Sequence, residues 1–225
     1  MILDRRGEPM IALPIAIAYI LGSIPFGLIV SRIYGVRDLR AHGSGNIGAT
    51  NVWRVIGAKA AAWVYLGDIG KGALAVLLAQ WLAHHFRISN ISVHLLLVLA
   101  ALAAVVGHLW PLFARFRGGK GVNTALGAMF VLLPLETLAG CIIFSVVVAA
   151  SRFMSLGSLA GTVGFFLIVA LERYLAAIEI PEVYVYLAAA LVVLIVVAHR
   201  RNIQRLIAGK ERKFSFSSKS REAGS

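Results

Sequence analysis

Charge is scarce in this chain, and negative charge scarcer still. Only 14% of the 225 residues are Asp, Glu, Lys or Arg, against about 25% in soluble globular domains. With 60% hydrophobic residues and a mean hydropathy of +0.85, a soluble domain is excluded. There is a single cysteine, Cys141, so no disulfide framework exists. It sits in an apolar run, where a lone cysteine behaves as a small hydrophobe; a thioester nucleophile would want a polar or basic setting. Strict apolar–polar alternation over about 10 residues is missing, which excludes a transmembrane barrel. No Ser- or Pro-rich linker, no foldable polar block and no convincing repeat divides the chain.

What is present is length in apolar runs, at residues 10–30, 91–106, 122–135, 138–150, 156–171 and 183–198. A helix rises 1.5 Å per residue, so about 20 residues cross about 30 Å of hydrocarbon, and only helices and closed barrels satisfy their backbone there. The reading is an all-α, polytopic transmembrane helical bundle of about seven helices, near residues 10–30, 58–82, 91–109, 121–135, 137–150, 156–172 and 182–199. The fourth and fifth are short and share Pro134, so they read as a broken or hairpin pair. Residues 1–213 read as one domain, and the Ser- and charge-rich residues 214–225 as a disordered tail. The N-terminal run lacks an A-x-A site and continues into Arg-bearing sequence, so a retained helix is expected rather than a cleaved leader.

Basic residues are distributed unevenly among the connections. Seventeen of the 22 fall in alternate loops and the C-terminal segment: Arg32 to Lys59, Arg115 to Lys120, Arg152, and Arg200 onward. Only Arg5, Arg6, Arg87 and Arg173 lie opposite, and Lys71 lies within a run. Positive charge stays in the cytoplasm, which predicts an outside N-terminus and a cytoplasmic C-terminus. The net charge of +12 reflects this topology and attraction to anionic lipid. Nucleic-acid binding is not expected, because interleaved aromatics are lacking.

The basic loops are unusual in kind. The first carries His42, Gly43, Ser44, Gly45, Asn46, Gly48, Thr50 and Asn51, with Arg54 one turn on. Glycines among small polar residues let backbone N–H groups turn toward an anion, and an arginine grips phosphate in a bidentate fork. The second loop sets Gly118, Gly119 and Gly121 around Lys120, directly before an apolar helix whose N-terminus favours phosphate. It is not a nucleotide-binding P-loop: Ala114 stands where that motif needs its first glycine, and Gly121 follows the lysine instead of Ser or Thr. The third turn offers Ser155 and Ser158. Past the last run, His199 and Asn202 share a helix face at i,i+3, and Arg201 and Arg205 another. Asp68 and Lys71, also i,i+3, lie at membrane depth, where ionisable groups are costly. They read either as a neutralising pair that also binds neighbouring loops or as the midplane site of a carrier. A carrier for phosphate or an organic anion is therefore the alternative function, though the outer loops lack basic residues and Gly-rich cradles.

These segments resemble the bacterial acyl-phosphate:glycerol-3-phosphate acyltransferases, membrane enzymes that begin phospholipid synthesis. The resemblance rests on GSIPFG at residues 22–27, GSGNIGATNVWR at 43–54, GHLWPLFARFRGGKGVNT at 107–124 and HRRNIQRLIAGKERK at 199–213. It spans nearly the whole chain, with Asn123 standing where a small residue is expected. It implies transfer of a fatty acyl group from acyl phosphate to the 1-hydroxyl of sn-glycerol 3-phosphate. The products would be lysophosphatidate and phosphate, made without acyl-CoA, metal or organic cofactor. Consistently, none of the six histidines is followed by Asp at the fifth position, the signature of the other glycerol-phosphate acyltransferases. The implied setting is the bacterial inner membrane, with the active site on its cytoplasmic side; neither acyl-chain preference nor oligomeric state is written in these motifs. Ser44, Asn46, Thr50, Arg54 and Lys120 are expected at the glycerol 3-phosphate. Gly118, Gly119, Gly121, Ser158 and Arg201 are expected at the acyl phosphate, and His199, Asn202 and Ser155 at the reacting centre. Either His199 or the phosphate of the acceptor, with a second pKa near about 6, takes the hydroxyl proton.

Overall fold

A computed structural model describes residues 11–88, 90–176 and 178–215. The expectations for residues 1–10 and 216–225 therefore lie outside the described residues. All regular structure among those described is helical. The helices are α1 (Ala12–Gly22), α2 (Phe26–Ile33), α3 (Ala49–Val55), α4 (Ala58–His85), α5 (Val93–Leu109), α6 (Val122–Leu132), α7 (Pro134–Ser151), α8 (Met154–Tyr174), α9 (Glu182–Ala198) and α10 (Arg200–Ile207).

The helical bundle is as expected, with differences in its spans. Five stretches are long and apolar enough to cross a bilayer: Ala12–Ile33, Ala58–His85, Val93–Ala114, Pro134–Ser151 and Met154–Tyr174. A sixth forms if α9 and α10, bent by 63°, are taken together. α6 has 11 residues, about 16 Å of rise, which is short of a full crossing. Pro134 ends it, because proline forces Leu133 out of the helical region, at φ −143°. The first span is interrupted at residues 23–25, where Pro25 precedes α2.

Close approach between small residues holds the bundle, since burial of apolar surface does not drive association inside lipid. Gly22 lies against the Ala104 backbone and Gly107 against the Tyr19 carbonyl, so α1 and α5 nearly touch. Gly72 meets the Thr124 carbonyl and Gly127 the Ile69 carbonyl, which seats α6 on α4. The shared core is rich in alanine, with Ala18, Ala75, Ala100, Ala101, Ala104, Ala128 and Ala188 all within 1% of full burial. Large apolar side chains point outward instead: Trp63, Leu66, Leu77 and Trp81 on α4, Ile142 and Val146 on α7. This inside-out pattern is what a lipid solvent selects.

Candidate active site

The loop before α3 is built around one side chain. Asn51, 1% exposed, accepts the Ser44 N–H at 2.8 Å and donates to the carbonyls of His42 and Asn46 at 3.1 and 2.8 Å. Asn46 Oδ1 in turn accepts the Gly48 N–H at 2.8 Å. Gly43 and Gly45 take φ of +61° and +73°, a region that glycine enters without strain. Asn46, expected to touch substrate, is thus also a cap within its own loop. Thr50 sits half-buried in the first turn of α3.

The loop between α5 and α6 departs from expectation. The Gly118 and Gly119 amides donate to the carbonyls of Leu109 and His108, each at 3.1 Å. They are therefore committed to the end of α5 and do not face an anion. The two glycines are small because the loop presses on α5: a Cβ on Gly118 would meet the carbonyls of His108 and Leu109, and one on Gly119 the His108 ring. Gly121, at φ +80°, caps α6. The N–H groups of Val122, Asn123 and Thr124 follow it, and a helix's first turn leaves such donors without intrahelical partners. Amides without intrahelical partners thus begin one residue past Gly121 and not at Gly118 and Gly119.

Arg40 clasps the two loops, donating through Nη2 to the Ala114 carbonyl at 3.0 Å and the Arg117 carbonyl at 2.5 Å. The segment after α10 closes the other side. Glu211 accepts hydrogen bonds from Ser155 Oγ at 2.8 Å, Asn202 Nδ2 at 2.6 Å and Arg205 Nε at 2.7 Å. One carboxylate thereby joins α8 to α10. Burial alone would raise its pKa, but these hydrogen bonds, led by Arg205, hold it below the ordinary carboxylate range. Arg212 donates to the Gly43 carbonyl at 3.2 Å, and Arg54 to the Arg212 carbonyl at 3.4 Å. Phe214, 6% exposed, stacks obliquely on Trp53 and donates its N–H to the Arg152 carbonyl. The expected loose tail thus begins as packed structure.

Together these residues enclose a cleft of about 140 Å³, lined by Gly43, Ser44, Arg54, Arg205, Glu211 and Arg212. Its electrostatics ask for an anion. Burial pushes the Lys120 ammonium down to about 8, with Arg205 and Arg54 adding to the fall and Glu211 opposing it. Arg54 is lowered chiefly by burial too, helped by Arg212 and Arg205. His199, 1% exposed, is pushed down to about 4 by burial first and by Lys120 second. Its Nδ1 lies 2.8 Å from the Ile195 carbonyl. A neutral ring therefore carries its proton on Nδ1 and leaves Nε2 as the acceptor.

The structure thus brings Ser44, Arg54, Lys120, Ser155, His199 and Asn202 into one neighbourhood. It does not bring the others in as expected. Ser158 donates its hydroxyl proton to the Met154 carbonyl at 2.9 Å, the usual return bond of a helical serine. Ser155, although inside the neighbourhood, spends its own hydroxyl proton on Glu211. Arg201 is exposed and outside the cleft lining, while Arg205, one turn on, lines it. Sequence reasoning misses Glu211 and Arg212, because an acidic residue among Lys210, Arg212 and Lys213 reads as an ordinary salt-bridge partner.

Comparison with known proteins gives one answer. The family model described as glycerol-3-phosphate acyltransferase matches residues 12–209. "Glycerol-3-phosphate acyltransferase 3" of Dehalococcoides mccartyi is 40% identical over 211 residues, covering 92% of this chain and 97% of that protein. The glycerol-3-phosphate acyltransferase of Neisseria meningitidis serogroup B is 40% identical over 204 residues, covering 90% and 96%. The crystal structure of PlsY (YgiH), an integral membrane glycerol 3-phosphate acyltransferase in its glycerol 3-phosphate form, superposes with a TM-score of 0.79 at 36% identity. It covers 91% of this chain and 96% of that one.

Proposed function

The chain belongs to the glycerol-3-phosphate acyltransferase family, and from that premise we propose that it moves a fatty acyl group from acyl phosphate to the 1-hydroxyl of sn-glycerol 3-phosphate, yielding lysophosphatidate and inorganic phosphate. It is an integral membrane acyltransferase of phospholipid synthesis, which removes the reason for a carrier reading. The observation that carries the finer proposal is the cation excess of the cleft. Arg54, Arg205 and Arg212 line it, with Lys120 near enough to share their field, around a single carboxylate already engaged by Ser155, Asn202 and Arg205. Two phosphorylated substrates supply the missing negative charge.

In this reading Ser44, Arg54 and Lys120 hold the acceptor phosphate, with Asn46 and Thr50 shaping the loop around it. The donor phosphate rests at the N-terminus of α6, beyond Gly121, where amides and helix dipole favour an anion. Its acyl chain lies along the bilayer-facing bundle. The acceptor hydroxyl oxygen attacks the carbonyl carbon. The bond from that carbon to the bridging phosphate oxygen breaks, and phosphate leaves with the electron pair. The developing carbonyl oxyanion needs a donor, and Ser155 fills that role on releasing Glu211. The hydroxyl proton goes to the acceptor's own phosphate, while His199 and Asn202 align the reacting groups. Support for this choice is the ring's depressed pKa of about 4, which leaves His199 neutral but a weak base near pH 7. No acyl-CoA, metal or organic cofactor enters. Residues 1–213 act as one catalytic domain in the bacterial inner membrane, with the cleft toward the cytoplasm in accord with the basic-loop asymmetry.

The test is direct. Purified protein in detergent receives palmitoyl phosphate, glycerol 3-phosphate or both. Phosphate release only with both, together with lysophosphatidate, supports the reading; lysophosphatidate formed only when acyl-CoA replaces palmitoyl phosphate, or none with either donor, refutes it.

A further inference from the structure

Within the α4 and α5 spans and outside the cleft lining lies a polar cluster that the reaction scheme does not use. Asp68 and Lys71 of α4 are 2% and 4% exposed, and His108 of α5 is 5% exposed. Lys71 Nζ stands 2.7 Å from Asp68 Oδ1 and donates to the Ile24 carbonyl at 2.8 Å. Ile24 lies in the gap between α1 and α2. His108 Nδ1 is 3.4 Å from the same Asp68 oxygen and 3.2 Å from Thr124 Oγ1 in the first turn of α6. The cluster thereby connects the α1–α2 break with α4, α5 and α6.

Both substrate loops rest on this cluster. The His108 carbonyl accepts the Gly119 N–H at 3.1 Å, and the His108 ring fills the space beside the Gly119 α-carbon. Lys120 is the next residue. On the other side, Gly27 in the first turn of α2 packs against the Ile47 carbonyl. Ile47 sits in the loop that carries Ser44 and leads to Arg54. Burying two charges in a bilayer is expensive, and apolar residues of similar size often serve stability as well or better. What the charges add is direction: Lys71 fixes one carbonyl, and Asp68 sets a negative charge 3.4 Å from an imidazole that is hydrogen-bonded to Thr124.

We propose that Asp68, Lys71 and His108 are positioning residues for acyl transfer, a buried ionic network that sets the spacing between the Ser44–Arg54 loop and the Lys120 loop. The proposal rests on the acyltransferase reading only for its kinetic readout. Arg40 ties the same loops at the surface, so the network acts as the lower of two ties.

The test uses the full chain with Cys141→Ser and spin labels at Ala41→Cys and Phe113→Cys, exposed positions on the two loops. Into it goes the double change Asp68→Asn with Lys71→Met, which leaves no lone charge in the membrane. Expected results are a melting temperature near the parent's, a broadened inter-label distance distribution, and raised KM for both substrates. The value of kcat/KM should fall about 10- to 100-fold, the scale of a 1 Å misplacement. Parent-like distances and KM values would overturn the proposal. So would a lowered melting temperature with unchanged KM in the folded fraction, which marks a purely structural role. If the double variant does not fold, His108→Gln, which keeps the ion pair, decides by the same readouts. A parent inactive on acyl phosphate would refute the donor assignment, and the distance measurement would then decide this proposal by itself.

Discussion

His199→Gln separates the two routes for the hydroxyl proton. The imidazole is buried, hydrogen-bonded through Nδ1 to Ile195 and pushed down to about 4. The acceptor phosphate has a second pKa of about 6. That difference of about two units makes the phosphate the stronger base by about 2.7 kcal/mol, or about 100-fold. With phosphate as base, turnover needs the dianion. The value of kcat should be flat above about pH 7 and about tenfold lower at pH 5. With His199 as a base of pKa about 4, the same limb would appear only below about pH 5. The assay is phosphate release from palmitoyl phosphate at saturating glycerol 3-phosphate, from pH 5 to 8, for parent and variant. The variant should retain measurable turnover and the same acid limb. Normal binding of both substrates with no detectable turnover in His199→Gln would make His199 the base and refute substrate assistance.

Arg54→Ala should raise the acceptor KM about 10- to 100-fold, the scale of one lost charge-assisted phosphate contact at about 1.5–3 kcal/mol, and move the donor KM much less; steady-state kinetics with each substrate varied checks this. Lys120 titrates at about 8 in the free enzyme, so as pH rises through that value the ammonium is lost. The acceptor kcat/KM should fall on the alkaline side, and Lys120→Arg should abolish the limb; a profile flat to pH 9.5 in the parent would contradict the assignment. Gly119→Ala places a methyl in the His108 ring space and should cost about 1–3 kcal/mol by overpacking, seen as a lowered melting temperature with loss of activity. Ser44→Cys should resist impermeant thiol reagents in intact cells while a cysteine at Ile88 reacts; labelling of position 44 from outside would invert the topology.

The sequence by itself determined the family and the medium. Long uncharged runs require helices, because hydrocarbon offers the backbone no partner, and the one-sided basic loops mark the anion-handling face. Ser44, Arg54 and Lys120 were legible as candidates because polar and charged residues beside glycines at helix ends have few purely structural reasons to cluster, and His199 with Asn202 because they share a helix face at the end of an apolar run. The shortness of α6 and its break at Pro134 were also readable along the apolar run, whereas the count of full spans was not, since hydropathy does not say which short helices cross. Nor did it reveal which amides are free: the Gly118 and Gly119 donors look available until the end of α5 is seen to accept them. Glu211 as the junction of α8 and α10, Phe214 docked on Trp53, and the tie from Asp68 through His108 to Thr124 were decided by tertiary structure alone. Each links residues far apart in sequence, and local spacing encodes only neighbours within a turn or two. Which distant groups meet depends on helices approaching at Gly22, Gly72 and Gly127, where the missing side chains set the distance between backbones.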